Sequence, residues 1–340
     1  MSNQSMKAVG YLQNLDISKS DSLMDLTLEK PNTFQPHDVL VKVMAVSVNP
    51  VDFKIRQGVP AKNDHPKILG WDIAGVVEKV GTSVTKFKVG DQVYYAGDIT
   101  RPGGNAEYHL VDSRLVGFKP KSLDFEQAAA LPLTSITAWE IIFERLRIQK
   151  HESDATALVM AGAGGVGSIA IQLVKKLTNL NVIATASRSE SIDWSKSMGA
   201  DAVINHKKPL MPQIAPLGLS PVKYIIGTTA SDTYAKQFSE IIEPQGHIAL
   251  IDDPETFDIV PFKRKSVSLH WELMFTKSMF QTADMIQQGN LLDEVGRLVD
   301  EGIILTTQKA SLGKMNAANM KKAHALLESG ASVGKITLSV

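Results

Sequence analysis

Cysteine is absent from the 340 residues. That excludes disulfides, a thiolate nucleophile, and zinc or iron–sulfur centres held by cysteine. Neither sign of charge is in excess: Lys+Arg and Asp+Glu both number 36, and the formal net charge is zero. Without a broad electrostatic field the chain offers little to DNA, RNA or an anionic membrane, so no nucleic-acid or membrane partner is expected. Long apolar runs are lacking too; the most apolar stretch is short and broken by glycine, unlike a membrane span. The opening "MSNQSMKAVGYLQNLDIS" has neither the cationic start nor the apolar core of a secretory leader. Hydrophobic residues at 44% and charged residues at 21% are ordinary for a globular protein, and the expected compartment is the cytoplasm.

What is present changes texture along the chain. The first third reads as β-structure, with "VLVKVMAVSVN", "DIAGVVEKVG", "KVGDQVYYAG" and "GGNAEYHLVD" punctuated by Pro and Gly. Such short strands suggest a rolled, barrel-like domain. Helical patterning begins with "SLDFEQAAALPL", where Asp124 is an N-cap candidate, and Pro132 separates it from "TSITAWEIIFERL". From Ala155 strands ("ATALVMA", "NVIATAS", "ADAVINH", "VKYIIGT", "GHIALI", "SVSLHWEL") alternate with helices, the signature of a parallel sheet. Prolines make "PLMPQIAPLG" a poor helix. Beyond about Phe275 the alternation stops; a helix follows between Asn316 as N-cap and Gly330, then "GKITLSV" as a closing strand. This tail is too small to fold alone and is expected to pack on the first domain.

The segment "ALVMAGAGGVGSIAIQLV" meets the context test for a dinucleotide fingerprint: a strand runs into Gly162, Gly164 and Gly167, and a helix follows at once. Gly162 permits the tight turn, Gly164 lets backbone approach a pyrophosphate, and Gly167 lets the helix pack on the strand. Gly165 and Val166 complete the first helical turn, whose free N–H groups and positive dipole end suit a phosphate. At the tip of the next strand, "ATASRSES", no carboxylate stands ready for a ribose hydroxyl; Ser187 and Arg188 do instead. A guanidinium and hydroxyls suit a 2′-phosphate, so NADP(H) is favoured over NAD(H). Glu190 should already lie in the following helix.

With "AVSVNPVDFKIRQG", "ILGWDIAGVVEKVG", "FKVGDQVYY", "GGNAEYHLVD", "AALPLTSITAWEII", the glycine turn and "GKITLSV" in this order, the chain resembles the medium-chain dehydrogenase/reductase superfamily along nearly its whole length. Within it the likeness is to the quinone oxidoreductase branch, including bacterial proteins labelled "zinc-type alcohol dehydrogenase-like". The resemblance implies an α/β protein in which a GroES-like catalytic domain (1–127 and 276–340) receives an inserted Rossmann domain (128–275). It also implies a cleft between the domains and a homodimer. In zinc-dependent relatives, the segments equivalent to "SVNPVD", "LGWDIAG" and "LPLTSITAW" supply the ligands; here they carry Asn49, Trp71 and Leu133. None of these makes a catalytic zinc site. The cysteine-rich lobe of those relatives is missing, and the eight histidines show no HExxH spacing. No metal is expected.

Without a metal, substrates that disperse incoming charge are favoured: a quinone over its ring, an α,β-unsaturated carbonyl as an enolate. By the resemblance, Asn49 faces nicotinamide and substrate as a hydrogen-bond donor. Asp52 is a catalytic candidate whose alternative is an ion pair with Lys54 or Arg56. Trp71 walls the pocket and stacks on a flat substrate, its alternative being core packing. Tyr94 and Tyr95 are proton donors or, in "VYY", packing residues. Thr137, Leu250 and Ile251 line the nicotinamide; Lys335 meets the pyrophosphate and pairs with Asp72. "SVSLHWEL" is the strand through which two copies would join. Substrate choice rests on loops such as "VPAKNDHP" and "GDITRPGGN". The expected activity is NADPH-dependent reduction of a quinone or α,β-unsaturated carbonyl. The alternatives are a metal-free aldehyde or alcohol oxidoreductase, or a catalytically weak NADPH-binding redox sensor.

Overall fold

The computed structural model describes residues 5–62 and 65–340. Residues 1–4, the start of the segment read for a leader, and 63–64, inside "VPAKNDHP", lie outside the described residues.

The N-terminal third builds strands wherever β-branched residues alternate with small ones. They are β1 (Ser5–Tyr11), β2 (Met24–Glu29), β3 (Asp38–Ser47), β4 (Lys67–Ile68), β5 (Ile73–Val80), β6 (Gln92–Tyr95), β7 (Tyr108–Asp112) and β8 (Gly117–Phe118). Between β3 and β4 lies a helix absent from the sequence reading, α1 (Pro50–Gly58). Its signals were local: Asn49 at the N-cap, Pro50 in the first turn, and Asp52 at the third position, whose carboxylate accepts the Asn49 backbone N–H at 2.7 Å. Asp124 caps α2 (Phe125–Ala129) by accepting from Gln127 N at 2.8 Å. Pro132 then opens α3 (Pro132–Trp139). The turn after it, Glu140–Arg145, read from sequence as plain α-helix, widens to π geometry.

The alternating segment gives a six-stranded, all-parallel sheet. Its strands are β9 (Thr156–Val159), β10 (Asn181–Thr185), β11 (Ala202–Ile204), β12 (Val222–Gly227), β13 (Ile242–Leu250) and β14 (Ser268–Trp271), in spatial order β11-β10-β9-β12-β13-β14. The intervening helices are α4 (Gly165–Leu177), α5 (Ser189–Ser197), the single turn α6 (Met211–Ile214) that its prolines allow, and α7 (Ser231–Ile241). Every residue of β9 is buried, as a central parallel strand covered on both faces requires. The core on one face joins Leu158, Ile183, Ile225 and Ile248 to Phe238 and Phe262. β14 is the sheet's edge, but only four residues long, shorter than expected from "SVSLHWEL".

The chain then returns through α8 (Thr276–Met279), α9 (Ile286–Asp300), β15 (Gln308–Lys314), α10 (Ala317–Glu328) and β16 (Lys335–Ser339). Asn316 caps α10, and Gly330 beyond it has φ +64°. β16 pairs with β3, so the closing strand joins the N-terminal sheet, whose order is β15-β16-β3-β5-β6-β8 with β7 also on β3. Two compact units result: residues 1–133 with 275–340, and residues 134–274. No helix among the described residues is long and apolar enough to cross a membrane.

Candidate active site

In the parallel-sheet unit the three glycines of the turn serve different needs. A Cβ on Gly162 would stand 2.7 Å from Ala184 Cβ, and one on Gly167 would stand 2.5 Å from Ala161 O. Internal packing therefore demands both. A Cβ on Gly164 would meet only Ala161 O, at 3.3 Å, and its backbone (φ −74°, ψ 171°) suits any residue. Packing alone gives the chain little use for glycine there. Gly164 is the N-cap of α4, so Gly165, Val166 and Gly167 present first-turn N–H groups that helix geometry leaves without an i−4 acceptor. The other long helix starting at this edge is different. The N-terminus of α7 is closed by Asp252, which accepts from Ser231 N at 2.7 Å and from its hydroxyl. The N-cap of α4 makes no such side-chain bond.

Around the turn, Thr185 at the end of β10 accepts Ala161 N through Oγ1 at 2.9 Å and Gly162 N through its carbonyl at 3.0 Å. Half-buried Ser187 and exposed Arg188 follow, Arg188 being the N-cap of α5. Glu190 lies in the first turn of α5. The guanidinium of Arg188 makes no ion pair among the described residues. β11 ends level with β10 (Thr185 opposite Ile204), which brings His206 and exposed Lys207 and Lys208 to the same edge. Sequence reading passed over this basic loop, although its place after a parallel strand was the signal. Leu250 is buried at the end of β13, and half-buried Ile251 donates its N–H to Gly227 O at 3.1 Å. Thr137 is buried in α3. Burial and the neighbouring Glu140 push the Glu272 carboxyl up to about 9, against the opposing pull of Arg145 at 2.7 Å.

The other unit gathers Asn49, Asp52, Asp72 and Lys335. The Lys335 ammonium donates to Val48 O (2.7 Å), Asp72 Oδ2 (2.9 Å) and Asn49 Oδ1. Asn49 Nδ2 donates to Asp72 Oδ2 at 2.8 Å, and Asp72 Oδ1 accepts Leu133 N at 2.7 Å. All of these side chains are buried. Burial raises the Asp72 carboxyl, with the Lys335 charge opposing it. The pairing of Lys335 with Asp72 is present, but all three ammonium N–H groups are spent inside the chain. The Lys335 ammonium is thus fully engaged within its own unit. Asp52 serves the backbone. Its oxygens accept Asn49 N (2.7 Å) and Gly70 N (2.9 Å), making it a buried cap that feels the Lys335 charge. Burial drives it to about 7 against those bonds.

Trp71 is packed inside the same unit. It is 1% exposed, meets Phe275 edge-on with centroids 6.1 Å apart, and donates Nε1 to Asp98 O at 3.3 Å. These contacts favour core packing for Trp71. Tyr94 donates to Leu292 O at 2.6 Å, and Tyr95 lies 3.1 Å from His109 Nδ1. Burial raises both phenols well above their usual range and lowers His109 to about 4, so none is poised as a proton donor near neutrality.

A doubly wound sheet with an open phosphate turn, joined to a mixed β-unit built from both chain ends, defines the class of two-unit nicotinamide-dependent oxidoreductases. Two family models match this chain: the alcohol dehydrogenase GroES-like domain over residues 35–121 and the zinc-binding dehydrogenase over residues 165–288. A zinc-type alcohol dehydrogenase-like protein of Staphylococcus epidermidis is 37% identical over 339 residues, 98% of this chain and 100% of that protein. The crystal structure of a putative zinc-dependent alcohol dehydrogenase from Rhizobium etli superposes with a TM-score of 0.96 at 54% identity, covering 99% of this chain and 98% of that one. A 2-methylene-furan-3-one reductase of Solanum lycopersicum is 43% identical over 215 residues, 60% of this chain and 53% of that protein. The chain belongs to the medium-chain dehydrogenase/reductase superfamily, with the GroES-like and Rossmann-type α/β fold of that family.

The family description carries zinc, and the residues present do not fit it. Asn49, Trp71 and Leu133 offer no thiolate, imidazole or carboxylate. The carboxylate beside them, Asp72, is already neutralised by Lys335 at 2.9 Å. Among the described residues no three His, Cys, Asp or Glu side chains converge as a metal site.

Proposed function

We propose that this protein is an NADPH-dependent reductase that delivers hydride, without a metal, to a quinone or an α,β-unsaturated carbonyl. The observation that carries the reading is Gly164: a glycine the chain does not itself require, at the open N-terminus of α4. When bound, the nicotinamide coenzyme supplies the hydride. Gly165, Val166 and Gly167 would hold its pyrophosphate through backbone N–H groups, and Arg188, Ser187 and the loop His206–Lys208 would hold its 2′-phosphate. Thr137, Leu250 and Ile251 would border the nicotinamide, as in the resemblance.

Asn49 is the donor we assign to the electrophile's oxygen. Lys335 holds its Oδ1 and Asp72 takes one of its amide hydrogens, which fixes the amide's orientation and leaves the second N–H to donate. In this reading an internal ammonium orients the donor, as a scaffold and not as a Lewis acid. One N–H donated to developing negative charge contributes about 1.5–3 kcal/mol, modest for an isolated alkoxide but sufficient help for an electrophile that delocalises the charge. The partial-length tomato relative, a reductase of a conjugated ketone by name, supports that class. The exposed Trp271 and Leu273 at the β14 edge, each 53% exposed, support self-association there.

The test is a panel of quinones, enones and simple aldehydes with NADPH and NADH. We expect turnover of the first two classes with NADPH preferred. Equal or better turnover of simple aldehydes would favour the aldehyde reductase; tight NADPH binding without turnover would favour the sensor.

A further inference from the structure

We propose that Trp194 is a positioning residue for the dinucleotide, acting through Ser168 on the peptide that faces the pyrophosphate; this rests on the coenzyme reading above. Trp194 lies on α5, and its indole Nε1 donates to Ser168 Oγ at 2.8 Å. Ser168, wholly buried in the first turns of α4, donates that hydroxyl to Gly164 O at 2.7 Å. The same carbonyl also accepts Ser168 N at 2.9 Å. Gly164 O is therefore held by two donors, one of them backed by the tryptophan.

The consequence follows from the peptide bond. Because the unit is planar and trans, fixing the Gly164 carbonyl fixes the Gly165 N–H in the opposite direction, out of the helix end where a phosphate would sit. Glycine at 164 allows close approach of a ligand but is the residue least able to hold its own peptide plane. The relay from Trp194 restores the stiffness that glycine forfeits. Serial donation, indole to hydroxyl to carbonyl, also polarises the 164–165 peptide and makes its N–H a better donor. The helix carrying Trp194 also bears Arg188 at its N-cap. Its next residue, Ser195, packs against Gly162, where an added Cβ would stand 3.1 Å from Ser195 Oγ. The fingerprint turn is thus braced from α5.

The experiment compares wild type, Trp194→Phe, Ser168→Ala and the double variant by calorimetric titration with NADPH and with NADH, alongside thermal unfolding and steady-state kinetics. Trp194→Phe keeps an aromatic ring and removes the N–H. Each single variant should raise Kd for both coenzymes by about five- to tenfold, the loss of one hydrogen bond's worth. The two coenzymes lose equally, because the pyrophosphate is common to both. The double variant should lose no more than the worse single one, and kcat at saturating coenzyme should stay within about twofold. A purely structural tryptophan would lower Tm and leave these affinity ratios alone. If wild type binds both coenzymes and Trp194→Phe binds them within about twofold of it, the positioning role is overturned and the coenzyme reading stands. If losses multiply in the double variant, the relay is overturned. If wild type takes up neither coenzyme, the reading beneath the proposal fails and the proposal with it. Ser168→Ala tests the same relay should Trp194→Phe not fold.

Discussion

Alanine at Gly164 and alanine at Gly167 are the same chemical change three residues apart, and they should fail in opposite ways. At Gly167 the new methyl meets Ala161 O at 2.5 Å and Gly162 Cα at 2.8 Å, both backbone atoms that cannot swing aside. Overpacking of that kind costs about 3 kcal/mol of stability. At Gly164 the methyl meets Ala161 O at 3.3 Å, which a shift of a few tenths of an ångström relieves, and an N-cap change from glycine to alanine costs about 1 kcal/mol. The methyl then stands in the path of anything that lies against the helix end. Displacing a pyrophosphate from two first-turn N–H groups forfeits about 2–3 kcal/mol of charge-assisted hydrogen bonding, or about 30- to 150-fold in Kd. Thermal unfolding and coenzyme titration on both variants separate the two effects. Gly164→Ala should melt close to wild type and bind NADPH and NADH poorly; Gly167→Ala should lose stability first. If Gly164→Ala binds within about threefold of wild type, the turn is only a helix start.

Three further outcomes follow. Arg188→Ala should raise Kd for NADPH by about tenfold or more and leave NADH nearly unchanged, as expected for one charged contact to a 2′-phosphate; equal losses would remove Arg188 from that role. Lys335→Met strands the buried Asp72 carboxylate and should cost about 3–5 kcal/mol, read as a lowered Tm; an unchanged Tm with weakened coenzyme binding would return Lys335 to the pyrophosphate. Glu272, raised to about 9 in the fold, is bound more tightly to its proton there than in the unfolded chain. Stability should therefore fall as pH rises from the ordinary carboxylate range towards 9. In Tm measured against pH, the advantage of Glu272→Gln over wild type should grow across that window, and a constant difference would refute the shift.

Contiguous signals were legible. The strand–glycine–helix fingerprint, the alternation of strands and helices, and the caps at Asp124 and Asn316 are each carried by neighbouring residues, where propensity and hydrogen-bonding chemistry act locally. α1 carried equally local signals in Asn49, Pro50 and Asp52, and went unread because the segment was weighed for metal ligands. What sequence did not disclose depends on distant partners. The second oxygen of Asp52 is taken by Gly70 N, 18 residues away, and Lys335 is engaged by Asn49, 286 positions earlier in the chain. The face of Trp71 is closed by Phe275. Trp194 and Ser168 are 26 residues apart. No periodicity encodes such meetings, so the turn was readable while the polar network of the first unit was not.

Reduction of an enone with coenzyme deuterated at the transferable nicotinamide position, using protein stripped by a strong chelator, tests metal-free hydride transfer most directly. The reading predicts deuterium at the β-carbon of the product, at a rate that chelation leaves unchanged. Loss of transfer on chelation with recovery on added zinc, or product without deuterium at that carbon, would contradict it.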